Sequence, residues 1–328
     1  MIGLGLAAPT LTMPWLSGCT PSDSTVDGPA LTSGTPSSSA TSSPPASANP
    51  TPAASNPSAG AAALEQALAA LAVAILTGPQ RKQLSKDRRL LLTFLRNAHT
   101  AHARAITDPL PTVGPVNIGG MSLNSSLALL SRRETSVAGR YRSAALKAKG
   151  ADALLWGSLS VAAGSFAAAI GSANPPATHP VADRHPVQVL TEVVAVQELV
   201  RQLHAIVYGY QLAIGKLKVF SKQRPKAEHE LLAQRIFRDR LIAWLRKNSA
   251  DVPAAESAYV PSVVPRNAAT AGKLIMRMQT ALQPFCGLWL AAAATPADRQ
   301  QALTALSNAM KIARSWGAPL GTWPGWSS

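Results

Sequence analysis

At 328 residues the chain has room for about two domains once a non-globular head is set aside. Hydrophobic residues make up 47% but aromatics only 5%, with alanine and leucine supplying most of the apolar mass. That disfavours a β-sandwich and favours helices packed through small side chains. Lys and Arg outnumber Asp and Glu by 31 to 16, a net charge of +15 that points to anionic neighbours. Two cysteines, Cys19 and Cys286, exclude a disulfide framework.

Residues 1–18 are mostly apolar and run into Leu16-Ser17-Gly18-Cys19. That tetrapeptide resembles the lipobox of bacterial lipoproteins, whose cysteine thiol receives diacylglycerol, so Cys19 is the expected lipid attachment point and first mature residue. No Lys or Arg precedes the apolar run, where a signal peptide opens with positive charge, and the expected translation start therefore lies upstream of Met1. Residues 19–60 are nearly all Ser, Thr, Pro, Ala, Gly and Asn, with no large apolar residue between Leu31 and Leu64. Such a stretch buries too little surface to offset its ordering entropy and is predicted to be a disordered tether, spanning about 35 Å as a coil. No later stretch offers about 18 unbroken apolar residues, so the chain is expected to be anchored, not spanning. The expected location is the outer face of the bacterial cytoplasmic membrane. That disfavours nucleic acid as a partner and leaves anionic lipid, wall polymer or protein.

After Gly60 the apolar period becomes helical. Leu64, Leu68, Leu71 and Ile75 form one stripe, ended by Thr77-Gly78-Pro79. A second helix is predicted from about Gln80 to Thr107, a third from about Ser122 to Lys149 and a fourth from Gly150 to about Ser172. Ala173-Asn174-Pro175-Pro176 breaks the pattern and separates a first helical bundle, 61–173, from a second, 185–326. In the second, a long helix is predicted from about Pro186 to Lys218, burying Val189, Leu203 and Tyr210 among others. The next, from about Lys226 to Lys247, is expected to turn Ala233, Phe237, Leu241 and Trp244 inward. A helix from about Asn267 to Ala293 contains Pro284, expected to kink it. The last has Thr295 as N-cap, Pro296 in its first turn and Asp298 three residues past the cap. The fold class expected is all-α.

His204-Ala205-Ile206-Val207-Tyr208-Gly209-Tyr210, Arg235-Ile236-Phe237-Arg238-Asp239-Arg240-Leu241, Trp316 and Trp323-Pro324-Gly325, in that order, resemble a ferritin-like domain family of unknown function found in secreted lipoproteins of high-GC Gram-positive bacteria. The resemblance covers about residues 185–326. Ala98-His99-Thr100-Ala101-His102 and Ser131-Arg132-Arg133-Glu134 make the first bundle similar to the ferritin-like region that often precedes that family. The resemblance implies two tandem ferritin-like four-helix bundles at a cell surface, and no particular activity. One departure is Leu203, where the family commonly has a Glu.

Ferritin-like enzymes hold two irons with a Glu from each of two helices and a Glu-x-x-His from each of the others. This sequence contains no Glu-x-x-His, which argues against a di-iron centre and leaves no complete catalytic constellation. A smaller set stands out. Leu95, His99, His102 and Ile106 are spaced four, three, four, which puts both imidazoles on the inward side of the second helix, and Glu134 interrupts the apolar stripe of the third. His99, His102 and Glu134 would suit one zinc or ferrous ion. The plainer alternative is that Glu134 hydrogen-bonds a histidine, or pairs with Arg133 or Arg140. His204 with Tyr208 is expected to be a hydrogen-bonded core pair, Cys286 a buried apolar residue, and the tryptophan-rich C-terminal segment a cap on its own bundle. Lys216, Lys218, Lys222, Arg224 and Lys226 form a basic run that either contacts an anionic lipid or polymer or simply caps helix ends. The leading expectation is a non-catalytic envelope scaffold without cofactor that binds a partner or anionic surface; the alternative is a metal-binding or redox protein.

Overall fold

The computed structural model of the chain describes residues 57–327; Cys19 and nearly all of the Ser/Pro-rich stretch lie outside them. The described residues are all-helical, with eight α-helices and one short 3₁₀ turn. The α-helices are α1 (Pro57–Thr77), α2 (Lys86–Ile106), α3 (Leu123–Lys147), α4 (Gly150–Gly171), α5 (Glu192–Ile214), α6 (Gln223–Lys247), α7 (Ala268–Ala292) and α8 (Pro296–Ser315). Residues 57–327 belong to one compact unit.

Side-chain caps fix several helix starts. Ser85, Ser122, Thr191 and Thr295 each accept from a backbone N–H three residues on, and Asn267 with Thr270 forms a reciprocal capping box. Several boundaries differ from the sequence expectation; α5 ends at Ile214, short of Lys218, α6 starts at Gln223, ahead of Lys226, and two further differences have a clear cause. The predicted second helix is broken: Pro79–Gln83 is a 3₁₀ turn, and α2 restarts behind the Ser85 cap. α5 starts at Glu192, not near Pro186, because Thr191 supplies the cap; Val189 is left 47% exposed instead of buried. α7 runs unbroken through Pro284.

In the first group α1 packs on α2 and α3, and α4 packs on α2 and α3, closing a ring of four helices. The second group leaves one seam open. α5 packs on α6 and α7, and α7 on α8. α6 and α8 face each other across a groove of about 660 Å³ lined by residues including Glu230, Gln234, Phe237, Leu282 and Ala305. With α5 as its main neighbour, α6 buries Ala227, Leu231, Gln234, Leu241 and Leu245. Of the four residues expected inward on α6, only Leu241 is buried; Ala233 is exposed, and Phe237 and Trp244 are half-buried.

The two groups interlock. α4 is apolar on every side and packs against α7 and α8 as well as against its own ring, as a helix without a polar face must. By length and average hydropathy α1 and α4 would both pass as membrane spans, but most of the α4 window is buried inside the protein. Arg299, 3% exposed, donates from Nε to the Leu146 carbonyl at the end of α3 (3.0 Å) and from Nη1 to the Ala293 carbonyl (2.9 Å). The segment after α8 crosses from the second group to the first: Leu320 pairs with the 177–179 segment, and Leu320 and Trp326 join the core of α1–α4. It therefore covers the other bundle, not only its own. On the way it passes α7 at Gly287, where any Cβ would collide with the Gly325 carbonyl.

Candidate metal centre

Four side chains from three helices meet inside the first ring. α1 supplies Glu65, α2 supplies His99 and His102, and α3 supplies Glu134; all are 1% exposed or less. Tyr141, two turns beyond Glu134 on α3, joins them. α4 offers only the Phe166 ring, which stacks near-parallel on His102 at 6.1 Å and meets His99 edge-on at 5.6 Å.

Glu65 is the hub, and sequence reasoning missed it. Its Oε2 lies 2.7 Å from His99 Nδ1 and 3.1 Å from His102 Nδ1, while its Oε1 accepts from the Tyr141 hydroxyl at 2.6 Å. The far side of each imidazole is also engaged: His99 Nε2 lies 2.7 Å from Glu134 Oε1, and His102 Nε2 lies 3.0 Å from the Thr322 carbonyl. Glu134 thus stands behind His99, on the side away from Glu65, and its Oε2 is buried with no partner. One ligand atom each from Glu65, His99 and His102 lies within 4.8 Å of the others.

The proton arithmetic of this arrangement is unusual. A carbonyl only accepts, so His102 Nε2 carries a hydrogen. A neutral His102 then turns the bare lone pair of Nδ1 toward the Glu65 carboxylate. Burial alone would push the Glu65 carboxyl up, but the charges and hydrogen bonds of His102 and His99 outweigh it and hold Glu65 below the usual carboxylate range. Burial pushes the Tyr141 hydroxyl up, helped by Glu65, so it remains a donor. Burial also raises the carboxyl of Glu134, against the pull of His99. For His99 burial acts downward, yet Glu134 and Glu65 raise the imidazole to about 10. Placing a hydrogen in every N···O contact needs two imidazolium cations against two carboxylates. A divalent cation among Nδ1, Nδ1 and Oε2 replaces two of those protons and leaves the net charge unchanged.

Room is the other test. Tetrahedral ligands at about 2.0–2.1 Å from an ion sit roughly 3.3 Å apart. The 2.7 and 3.1 Å contacts would need to open by about 0.6 and 0.2 Å, and the two imidazole ligand atoms already lie within 4.8 Å of each other.

Elsewhere, His204 bonds the Pro253 carbonyl (3.2 Å), and the Tyr208 ring meets that of Tyr259 at a tilt, 5.6 Å between centroids, so these two do not form the expected pair. Cys286 is fully buried, which pushes its thiol pKa up. Within the basic run, Arg224 pairs with Glu228, and Lys226 bonds the Ser315 carbonyl while lying over the Trp316 ring. Lys216, Lys218 and Lys222 are exposed and make no such bond.

Comparison with known proteins reaches the second group of helices. The profile of a family described as a domain of unknown function, DUF4439, matches residues 195–328, less than half of the chain. Among solved structures, a conserved hypothetical protein, rv2844, from Mycobacterium tuberculosis is similar at 25% identity, covering 38% of this chain and 93% of that one, with a TM-score of 0.37. No curated protein matches. The matched segment contains Thr322, whereas Glu65, His99, His102, Glu134 and Tyr141 all precede it.

Proposed function

We propose that this chain is a metal-binding protein of the cell envelope: a pair of ferritin-like bundles, lipid-anchored through Cys19, that holds one divalent zinc or iron ion on Glu65 Oε2, His99 Nδ1 and His102 Nδ1. The observation that carries the reading is the set of partners behind those three atoms. Metal-bound histidines donate their other ring N–H to a carboxylate or carbonyl, and bound carboxylates are themselves hydrogen-bonded. Here Glu134 stands behind His99, the Thr322 carbonyl behind His102 and Tyr141 behind Glu65. Two imidazoles and one carboxylate suit Zn²⁺ or Fe²⁺. With Phe166 on the α4 side the site is mononuclear. The envelope location rests on Leu16–Cys19 and the Ser/Pro-rich stretch.

The ion is held, not put to work on a substrate. Its ligands are buried, and Phe166 and Trp323 wall the histidines. The test is elemental analysis of protein purified without chelators, followed by calorimetric titration with zinc and with ferrous iron. About one equivalent is expected, abolished by His102→Ala and by Glu65→Gln and weakened by Glu134→Gln, since partners behind the ligands are worth about 10–100-fold in affinity. Binding that ignores His102→Ala, or no binding at all, would leave a hydrogen-bonded core and overturn the assignment.

A further inference from the structure

The turn between α5 and α6 displays apolar side chains to water. Leu217, 3% exposed, pins the turn to the core of the second group, and just beyond it Val219 is 65% and Phe220 101% exposed. This is no frayed end. Ser221 N–H and Oγ both bond the Lys218 carbonyl (3.0 and 2.8 Å), and Arg224 N–H bonds the Ser221 carbonyl (3.3 Å). The backbone that presents Phe220 is therefore closed on itself.

Along the chain through this tip the charge has one sign. Lys216, Lys218 and Lys222 flank it, exposed and unpaired, and the sequence holds no Asp or Glu between Glu198 and Glu228. Lysines held in a fixed turn, without acidic partners, call for an anionic surface. A hydrophilic polyanion would satisfy the lysines but would leave Val219 and Phe220 in water. An anionic lipid bilayer meets both demands, with phosphates at the level of the lysines and an apolar layer just below for the two side chains.

We infer that the 215–222 turn is a bilayer-contact element, in which Phe220 and Val219 enter the interfacial layer of an anionic membrane and Lys216, Lys218 and Lys222 engage lipid phosphates. It takes its setting from the envelope location proposed above and owes nothing to the metal site, so the two are tested separately. Contact at this turn would hold the second group of helices against the membrane in a fixed orientation.

The test uses the full chain carrying Cys19→Ser, so that no acyl chain contributes, with an environment-sensitive fluorophore on Phe220→Cys; buried Cys286 stays unlabelled. Vesicles of phosphatidylcholine with about one-third phosphatidylglycerol, rich enough for their charge to draw basic residues, are expected to shift the emission to the blue. Phosphatidylcholine alone should not. In co-sedimentation with the anionic vesicles, Phe220→Ala should weaken partitioning about tenfold. Replacing all three lysines by Gln should weaken it roughly a hundredfold, at about fivefold for each. Phe220 supports no core, so these variants should keep the parent melting temperature, which is checked alongside. A probe that stays in water on anionic vesicles overturns the inference. So does vesicle binding that Phe220→Ala leaves unchanged, which would reduce the contact to attraction between the lysines and lipid headgroups with no apolar insertion.

Discussion

His102 Nε2 donates to the carbonyl of Thr322, 220 residues later in the chain, across 3.0 Å. This bond sets the tautomer of a buried histidine in the first group of helices from the segment that follows the last helix. The segment is held there by Trp326, 7% exposed in the core of α1–α4, and by Trp323, whose ring lies 4.7 Å from that of His102 and whose Nε1 donates to the Ala182 carbonyl. Trp326→Ala should cost about 3–5 kcal/mol in a urea titration, as truncating a buried tryptophan does. Trp323→Ala should matter less for stability and more for exchange, speeding loss of a bound ion to a chelator in stopped-flow measurements.

Glu65 and Glu134 both touch His99 and should behave differently. Glu65 serves two imidazoles and a phenol, so Glu65→Gln leaves buried cations uncompensated and should destabilise by about 3–5 kcal/mol as well as remove metal binding. Glu134 serves one nitrogen, and its desolvation already opposes ionisation. Glu134→Gln should be closer to neutral for stability, and urea titrations of both variants against the parent would show the contrast.

Chelator-treated protein should lose stability at high pH. The His99 imidazole is raised from 6.5 to about 10 in the folded state, so its contribution is complete below about 6.5 and fades as the pH climbs through about 10. Glu65 acts in the opposite direction: its lowered carboxyl contributes above the ordinary 4.5 and is lost only on strong acidification. Melting temperatures followed from neutral to alkaline pH should fall in the parent. In His99→Gln they should start lower and fall less.

Gly287 is the point where the closing segment crosses α7. A methyl group there meets the Gly325 backbone, which has nowhere to retreat because Trp326 is already buried. Gly287→Ala should therefore cost about 1–3 kcal/mol as overpacking. Gly171→Ala, which has open space around it, is the control.

The helices were largely legible because apolar residues recur at three- and four-residue spacings, and the inward placement of both histidines followed from Leu95 and Ile106 on either side. Glu65 was hidden by composition. It sits among alanines, and its stripe of Ala62, Glu65, Ala69 and Ala72 is overshadowed by the leucine stripe beside it. A lone acid in an otherwise uncharged helix, placed on a three-four-three row, was the signal that could have found it. On α6 the bulk of Phe237 and Trp244 draws attention away from the face that is buried. A helix with one main neighbour buries only a narrow face, and its large side chains can settle at the rim of a groove. Neither the contact of the last segment with the other group nor the Thr322 carbonyl could be read from the sequence, because backbone groups leave no trace in residue type.

Thr322 also imposes an order of events. Until Thr322 and the tryptophans beside it are in place, the His102 side of the cluster stands uncovered. An ion would have its easiest entry then, before the fold has closed. After the last tryptophans settle, replacing it would require lifting them. The metal of the finished protein would therefore record what was available in the compartment where the chain folds, more than what surrounds it afterwards.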